Sequence, residues 1–288
     1  MRYHIAESFE DAARLAAAGG GVTRFLAGGT DVLVQMRAGM VTPDDLIDLK
    51  HIPGARDIIQ APDRRWRIGV AVSGAELSEH PELARDWPGV VEAMALVGST
   101  QVQGRATLTG NLCNGSPAAD SVPALVAAGA VVSVTGQAGT REVPVEDIPV
   151  GPGRTALAAG EVVSAITLPA RGDHAADAYQ RFIPRTEMDI AVVGCAVNLV
   201  LDGDVISAAR VALGAVAPTV LLVPQAAQAL VGSSWDNAAR AALDAAARAA
   251  ARPITDKRGT AEFRTEVAGV LARRVAEVAY RRAKGEVA

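Results

Sequence analysis

Apolar and polar positions recur along this chain with two different periods, and each change of period marks an element. In SFEDAARLAAAG, residues 8–19, the apolar positions fall at helical spacing, and Ser8 and Asp11 stand as in a capping box. Arg24-Phe25-Leu26 predicts a short strand, and LIDLKHI, 46–52, predicts another that closes a compact first unit over residues 1–55. After Pro53-Gly54, WRIGVAVSGAEL predicts a strand running into a short helix that leads to PELARDWPGVVEAMALV. AVVSVTG, the segment around REVPVED, and EVVSAITLP alternate as strands of a second unit, residues 56–172, and RGDHAAD, 171–177, predicts a linker. In the third unit, 173–288, AYQRFIP and the run from Asp189 to Val216 predict hairpin strands around Asp202-Gly203-Asp204. Helices are expected over 235–251 and 260–283, with Pro253 between them. The last helix sets Phe263, Val267, Val270, Leu271, Val275 and Val278 on one face, expected to be core.

Two polar loops interrupt this pattern. Residues 104–121, GRATLTGNLCNGSPAADS, carry Thr107, Thr109, Asn111, Asn114, Ser116 and Asp120 between two apolar segments. A connection that only turned the chain would need about four to six residues and far fewer donors and acceptors. The second loop is Ala27-Gly28-Gly29-Thr30-Asp31, whose paired glycines allow positive φ and close backbone approach, while Thr30 or Asp31 can cap a following helix. Backbone N–H groups at such a turn suit an anion, and with no lysine nearby in sequence the pattern fits a diphosphate held by main-chain dipoles. A Gly-Gly turn before a capped helix would read the same way. Together the loops suggest one nucleotide gripped from two sides.

AGGTD at 27–31, TLTGN at 107–111, SPAAD at 116–120 and RTEMDIA at 185–191 occur in the order and rough spacing of the FAD-binding medium subunits of the molybdenum hydroxylases. From Tyr3-His4 to Tyr280-Arg281-Arg282-Ala283, the chain resembles the flavin subunit of a carbon monoxide dehydrogenase, xanthine dehydrogenase or N-heterocycle dehydrogenase type enzyme. The resemblance implies an α+β fold: a vanillyl-alcohol-oxidase (PCMH)-type FAD-binding domain of two subdomains, 1–55 and 56–172, then a C-terminal α+β domain with a small sheet and helices. It also implies that Ala27, Gly28, Gly29, Thr30 and Asp31, flanked by Leu26 and Val32, wrap the FAD diphosphate, and that Thr107, Gly110, Asn111 and Asn114 complete the cradle. Asp120 matches an acid that accepts hydrogen bonds from flavin-side hydroxyls; capping the helix SVPALVAAGA is the other reading of that residue. Arg181 matches a cation near the flavin end, against the alternative of a solvated surface arginine, and Val163 and Ile190 are candidate apolar walls for the isoalloxazine. Thr109 departs from the family, which has a second glycine there, so either its side chain points away or the cradle is remodelled.

Composition narrows the function. With 288 residues, 50% hydrophobic content and mean hydropathy +0.20, there is material for a sizeable core. No uncharged run is long enough for a transmembrane helix and no basic-then-apolar leader is visible at Met1-Arg2-Tyr3-His4, so no membrane insertion and a cytoplasmic location are expected. A net charge of −4 argues against nucleic acid. Cys113 and Cys195 cannot ligate an iron–sulfur cluster, the histidines at 4, 51, 80 and 174 form no cluster in sequence, and no metal site is legible. Cys113 lies inside the polar loop, where a redox role is conceivable and a small buried residue is the plainer reading. Gly151-Pro152-Gly153-Arg154-Thr155-Ala156 fits G-x-G-x-x-A but lacks the βαβ context of a Rossmann unit.

No general acid, base or nucleophile for substrate chemistry is identifiable. By resemblance, the chain is an FAD-carrying electron-transfer subunit with no catalytic residue of its own. A small subunit with [2Fe-2S] clusters and a large subunit with molybdenum cofactor would be its partners in a heterotrimer or its dimer, and electrons would leave through FAD to an external acceptor. A free-standing FAD-dependent oxidoreductase of the same fold and a non-catalytic nucleotide-binding assembly subunit are the rivals.

Overall fold

The computed structural model describes residues 1–185 and 188–286; Thr186 and Glu187 of the RTEMDIA segment lie outside the described residues. The first unit runs β1 (Arg2–Ile5), α1 (Phe9–Ala18), β2 (Thr23–Leu26), α2 (Val32–Arg37) and β3 (Asp45–Asp48). Its sheet is parallel in the order β1-β3-β2, with Leu26 paired to Asp48. Ser8 caps α1 by accepting from the Asp11 N–H at 3.0 Å, but the Asp11 carboxylate accepts from the Glu7 N–H, one residue before the position a capping box requires. Asp45 is buried between Arg2 and His4, and the Arg2 and His4 hydrogen bonds hold its carboxyl down at about 2.

The second unit is helical on its way into an antiparallel sheet. It contains β4 (Ile58–Gln60), β5 (Trp66–Gly69), α3 (Gly74–Ser78), α4 (Pro81–Asp86), α5 (Pro88–Ala95), α6 (Thr100–Gln103), α7 (Leu108–Cys113) and α8 (Ser121–Ala128). β6 (Val131–Gly136), β7 (Gly139–Pro144), β8 (Pro149–Gly151), β9 (Arg154–Thr155) and β10 (Val162–Leu168) follow. The sheet order is β4-β5-β10-β6-β7. All of α8 is buried, as its apolar sequence demands, and Gly129 ends it at φ +71. The Gly151–Arg154 segment, with its Rossmann-like spacing, is the turn of the β8–β9 hairpin, with Gly153 at φ +68.

The third unit contains β11 (Ala175–Phe182), β12 (Val193–Asp202), β13 (Val205–Gly214), β14 (Leu221–Leu222), α9 (Pro224–Gln228), α10 (Asn237–Ala250) and α11 (Ala261–Ala283), the strands forming one antiparallel sheet in that order. α11 lies rotated from its expected face. Leu271 and Val275 are buried, but Phe263 is exposed and Val267, Val270 and Val278 are half-buried. The buried stripe is Ala268, Ala272, Ala276 and Ala279 with Arg264 and Tyr280, because alanines let the helix approach β11 and β12 closely.

The RGDHAAD segment is no simple linker. Arg171 stacks 3.7 Å above the Trp87 ring and pairs with buried Asp177 at 3.0 Å, and Asp177 lies within β11. Burial pushes the Asp177 carboxyl up and the Arg171 guanidinium down, each opposed by the charge of the other. Arg282 of α11 adds bonds to Glu92 and to the Asp177 carbonyl, tying the second and third units together.

Candidate functional site

The structure brings both polar loops together. Gly28 needs its missing side chain, because a Cβ there would sit 2.0 Å from the Arg105 carbonyl oxygen; the backbones of the two loops touch at this point. Gly29 takes φ +82. None of the backbone N–H groups of residues 27 to 31 donates to another group among the described residues. Asp31 stands at the N-cap of α2 without a side-chain cap bond, so the expected capping by Thr30 or Asp31 is replaced by an open turn. A second tie follows at Gln35, whose Nε2 donates to Asn114 Oδ1 at 3.0 Å.

The loop over 104–121 is not loop throughout, because Thr107 caps α7 by accepting from the Gly110 N–H at 2.9 Å. Thr109 is buried within α7. The Asn111 side-chain Oδ1 accepts from the Ser121 hydroxyl at 2.7 Å. Cys113 is half-buried against the main core, where desolvation pushes its thiol up to about 12. The loop is braced from outside by Gly153, which donates to the Gly115 carbonyl at 2.9 Å, and by Ala215, which donates to that of Pro117 at 2.8 Å.

At the far end, Asp120 makes no cap bond to α8. It is buried and accepts from Tyr179 Oη at 2.8 Å and from the Arg181 guanidinium at 2.5 Å. Burial raises its carboxyl while both donors pull it down. The Arg181 side chain is 5% exposed, which excludes the solvated surface reading, and its Nε has no partner among the described residues. Ile190 is 51% exposed one residue from Asp189, whose carbonyl Arg181 also reaches at 3.4 Å. Val163 does not join this group. It is 3% exposed in β10 and packs within the main core, so it offers no open face to a ring.

The sequence reading missed a set of cations. A cavity of about 300 Å³ is lined by Ala27, Gly28 and Ser73 together with Lys50, His51, Arg56 and Arg105. No lysine is near the turn in sequence, but the parallel pairing of Leu26 with Asp48 carries Lys50 and His51 to the level of Ala27 and Gly28. Two adjacent parallel strands ending together were the signal that could have found them.

Residues 1–171 match the family model for the FAD-binding domain in molybdopterin dehydrogenase, and residues 177–279 match that for the CO dehydrogenase flavoprotein C-terminal domain. The chain belongs to the FAD-binding subunits of the molybdopterin dehydrogenases. This flavin subunit is 33% identical over 287 residues to the carbon monoxide dehydrogenase medium chain of Afipia carboxidovorans, covering 98% of this chain and 97% of that one. It is 30% identical over 286 residues to the putative xanthine dehydrogenase FAD-binding subunit XdhB of Escherichia coli K12, covering 99% and 98%. Among solved structures, carbon monoxide dehydrogenase from Hydrogenophaga pseudoflava superposes with a TM-score of 0.93 at 32% identity, covering 98% of each chain. The fold is therefore that of a PCMH-type flavoprotein with a small C-terminal α+β domain.

The residues of the flavin subunit fit FAD. An open turn of unpartnered backbone N–H groups beside cationic side chains suits a diphosphate, and a buried carboxylate and guanidinium stand at the other end of the same loops.

Proposed function

We propose that this flavin subunit passes electrons from iron–sulfur clusters on a small partner subunit to an external acceptor, while a large partner subunit with molybdenum cofactor oxidises the substrate. When bound, FAD supplies the ring that takes up and releases the electrons. Residues 26–32 with Thr107, Gly110, Asn111 and Asn114 hold the diphosphate. Asp120, Arg181 and Ile190 face the flavin end, where the guanidinium offers positive charge to a ring gaining electrons. Residues 1–55 and 56–172 then act as the halves of the FAD-binding domain, with 173–288 as the C-terminal domain. A heterotrimer or its dimer, in the cytoplasm, completes the reading.

One observation carries it: the family models for the FAD-binding domain and for the CO dehydrogenase flavoprotein C-terminal domain match residues 1–171 and 177–279. The nicotine 6-hydroxylase medium subunit of Paenarthrobacter nicotinovorans, 30% identical over 275 residues, is by its name one subunit of a larger enzyme, which supports the reading. The isolated chain is expected to bind FAD and accept electrons from dithionite, yet to oxidise no aldehyde, N-heterocycle or carbon monoxide until cluster-bearing and molybdenum-bearing subunits are added. Substrate-dependent flavin reduction by the chain alone would overturn this reading in favour of a free-standing oxidoreductase.

A further inference from the structure

We propose that Arg258 and Arg264 are positioning residues: with Asp256 they clamp residues 189–192, where the chain returns from β11 to β12, so that this segment steadies Arg181 at the flavin end. The proposal rests on the FAD assignment above and concerns side chains with no place in the cradle. The Val192 N–H donates to the Phe182 carbonyl at 2.8 Å, and the Val192 carbonyl accepts from Arg264 Nη1 at 3.0 Å, so both backbone groups of that residue are held. The Asp189 side chain is 4% exposed; its carboxylate accepts from Arg185 at 3.1 Å and from the Ile190 N–H at 2.8 Å, with Arg258 Nε 3.7 Å away. Asp256 joins the two arginines. It accepts from Arg264 Nη2 at 2.5 Å and from the Arg258 N–H at 2.8 Å, and its carboxylate lies 3.6 Å from the Arg258 guanidinium. Alternating charges thus run from Arg185 through Asp189, Arg258 and Asp256 to Arg264 on α11.

Arg264 is buried, and it reaches a second carbonyl besides that of Val192. This is the carbonyl of Ala215, at 3.5 Å; Ala215 stands at φ +62, and its N–H donates to Pro117 of the polar loop. The loop that carries Asp120 and the segment that reaches Arg181 are therefore tied to one guanidinium. The effect on Arg181 passes through a single contact. Arg181 Nη1 donates to Asp120 and reaches the Asp189 carbonyl at 3.4 Å. Two acceptors from different segments fix the plane of a guanidinium, whereas one leaves it free to swing. With the clamp released, Arg181 keeps Asp120 but loses the second acceptor, so its charge is less firmly aimed at a ring gaining electrons.

The test has a flavin-free arm and a flavin-loaded arm. Trypsin cleavage after Arg185, whose side chain is 70% exposed, is timed in the deflavinated full-length chain, and the two-electron reduction potential is measured with FAD bound. Wild type, Arg258→Gln and Arg264→Gln are compared with Arg240→Gln, which loses a pair with Glu277 elsewhere in the same domain, and circular dichroism melting verifies folding. If Arg264→Gln does not fold, Arg258→Gln decides the matter, because its side chain already reaches water. Arg264→Gln should speed cleavage by about ten- to a hundredfold and Arg258→Gln by less. The potential should fall by about 30 mV in Arg264→Gln, a tenfold weaker uptake of two electrons, and by less in Arg258→Gln, while Arg240→Gln changes neither readout. In an Arg181→Lys background, which keeps a charge on Asp120 but cannot also reach Asp189, the shift caused by Arg264→Gln should vanish. Unchanged cleavage, an unchanged potential in a chain whose loop is released, or a shift that persists in the Arg181→Lys background would overturn the proposal while leaving the FAD assignment intact. A wild-type chain that binds no FAD would refute that assignment instead; cleavage that still depends on Arg258 and Arg264 would then support the clamp, and its absence would sink both.

Discussion

At the turn over residues 27–31 the donors are backbone N–H groups and the nearby cations remain within reach of water, whereas at Asp120 the charges are buried and engaged with one another. One ligand can be held both ways, but the two devices fail differently. The turn depends on the absence of side chains, and loss of exposed Arg105 or His51 beside it leaves no buried charge unpaired. The Asp120 end depends on each charge having its partner, because a carboxylate or guanidinium left alone in the interior is costly. The turn can therefore be assembled from local glycines, while the buried end is completed only when β11 docks.

The largest effect should come from Arg181→Ala, which leaves buried Asp120 without its countercharge and with Tyr179 as its remaining donor, and is expected to cost about 3–5 kcal/mol. Denaturant unfolding of the flavin-free chain measures it, and a loss below about 1 kcal/mol, the scale of an exposed pair, would erase the contrast between the two ends. Next is Gly28→Val. A side chain there must displace the Arg105 backbone, so the loops should separate at a cost of about 1–3 kcal/mol, with FAD lost on gel filtration. A valine variant that retains both stability and stoichiometric FAD would show that the turn does not need the bare backbone. In the flavin-free chain Asn114→Ala removes the neutral bond from Gln35 and should cost about 1 kcal/mol, visible as a small shift in melting temperature.

The smallest effect concerns Cys113, which lies between the two ends. With its thiol pushed up to about 12 it stays protonated, so iodoacetamide at pH 8 should leave the folded chain unlabelled and modify Cys113 only after denaturation. Labelling of the native protein at the rate of a free thiol would mean that the loop opens, and the buried end would have to be redrawn.

What was legible in the sequence was local. The Gly28-Gly29 turn, the strand before it, the hairpin at Gly203 and the long C-terminal helices each follow from residues adjacent in the chain. What was hidden depends on residues far apart. Asp120 and Arg181 meet across 61 positions, and neither period nor composition indicates which acid a given arginine will find. Lys50 and Gly28 come together through strand register, which motif spacing does not encode. RGDHAAD looks solvated because Arg171 and Asp177 are charged, yet they neutralise each other under Trp87. On α11, valine and phenylalanine outweigh alanine on any hydropathy scale, but the close approach to the sheet selects the alanine face.

With FAD held as proposed, the link from Asp120 to β11 makes the C-terminal domain a thermodynamic partner of the cofactor. Tyr179 and Arg181 lie in the strand Ala175–Phe182, while Asp120 belongs to the polar loop over residues 104–121. Whatever free energy docking of β11 lends to flavin retention, flavin must return to the docking of β11, since such coupling is reciprocal. The exchange rates of backbone amides along Ala175–Phe182 should therefore slow when FAD is added and rise when it is stripped, so that a strand with no place in the FAD-binding domain reports on the occupancy of that domain.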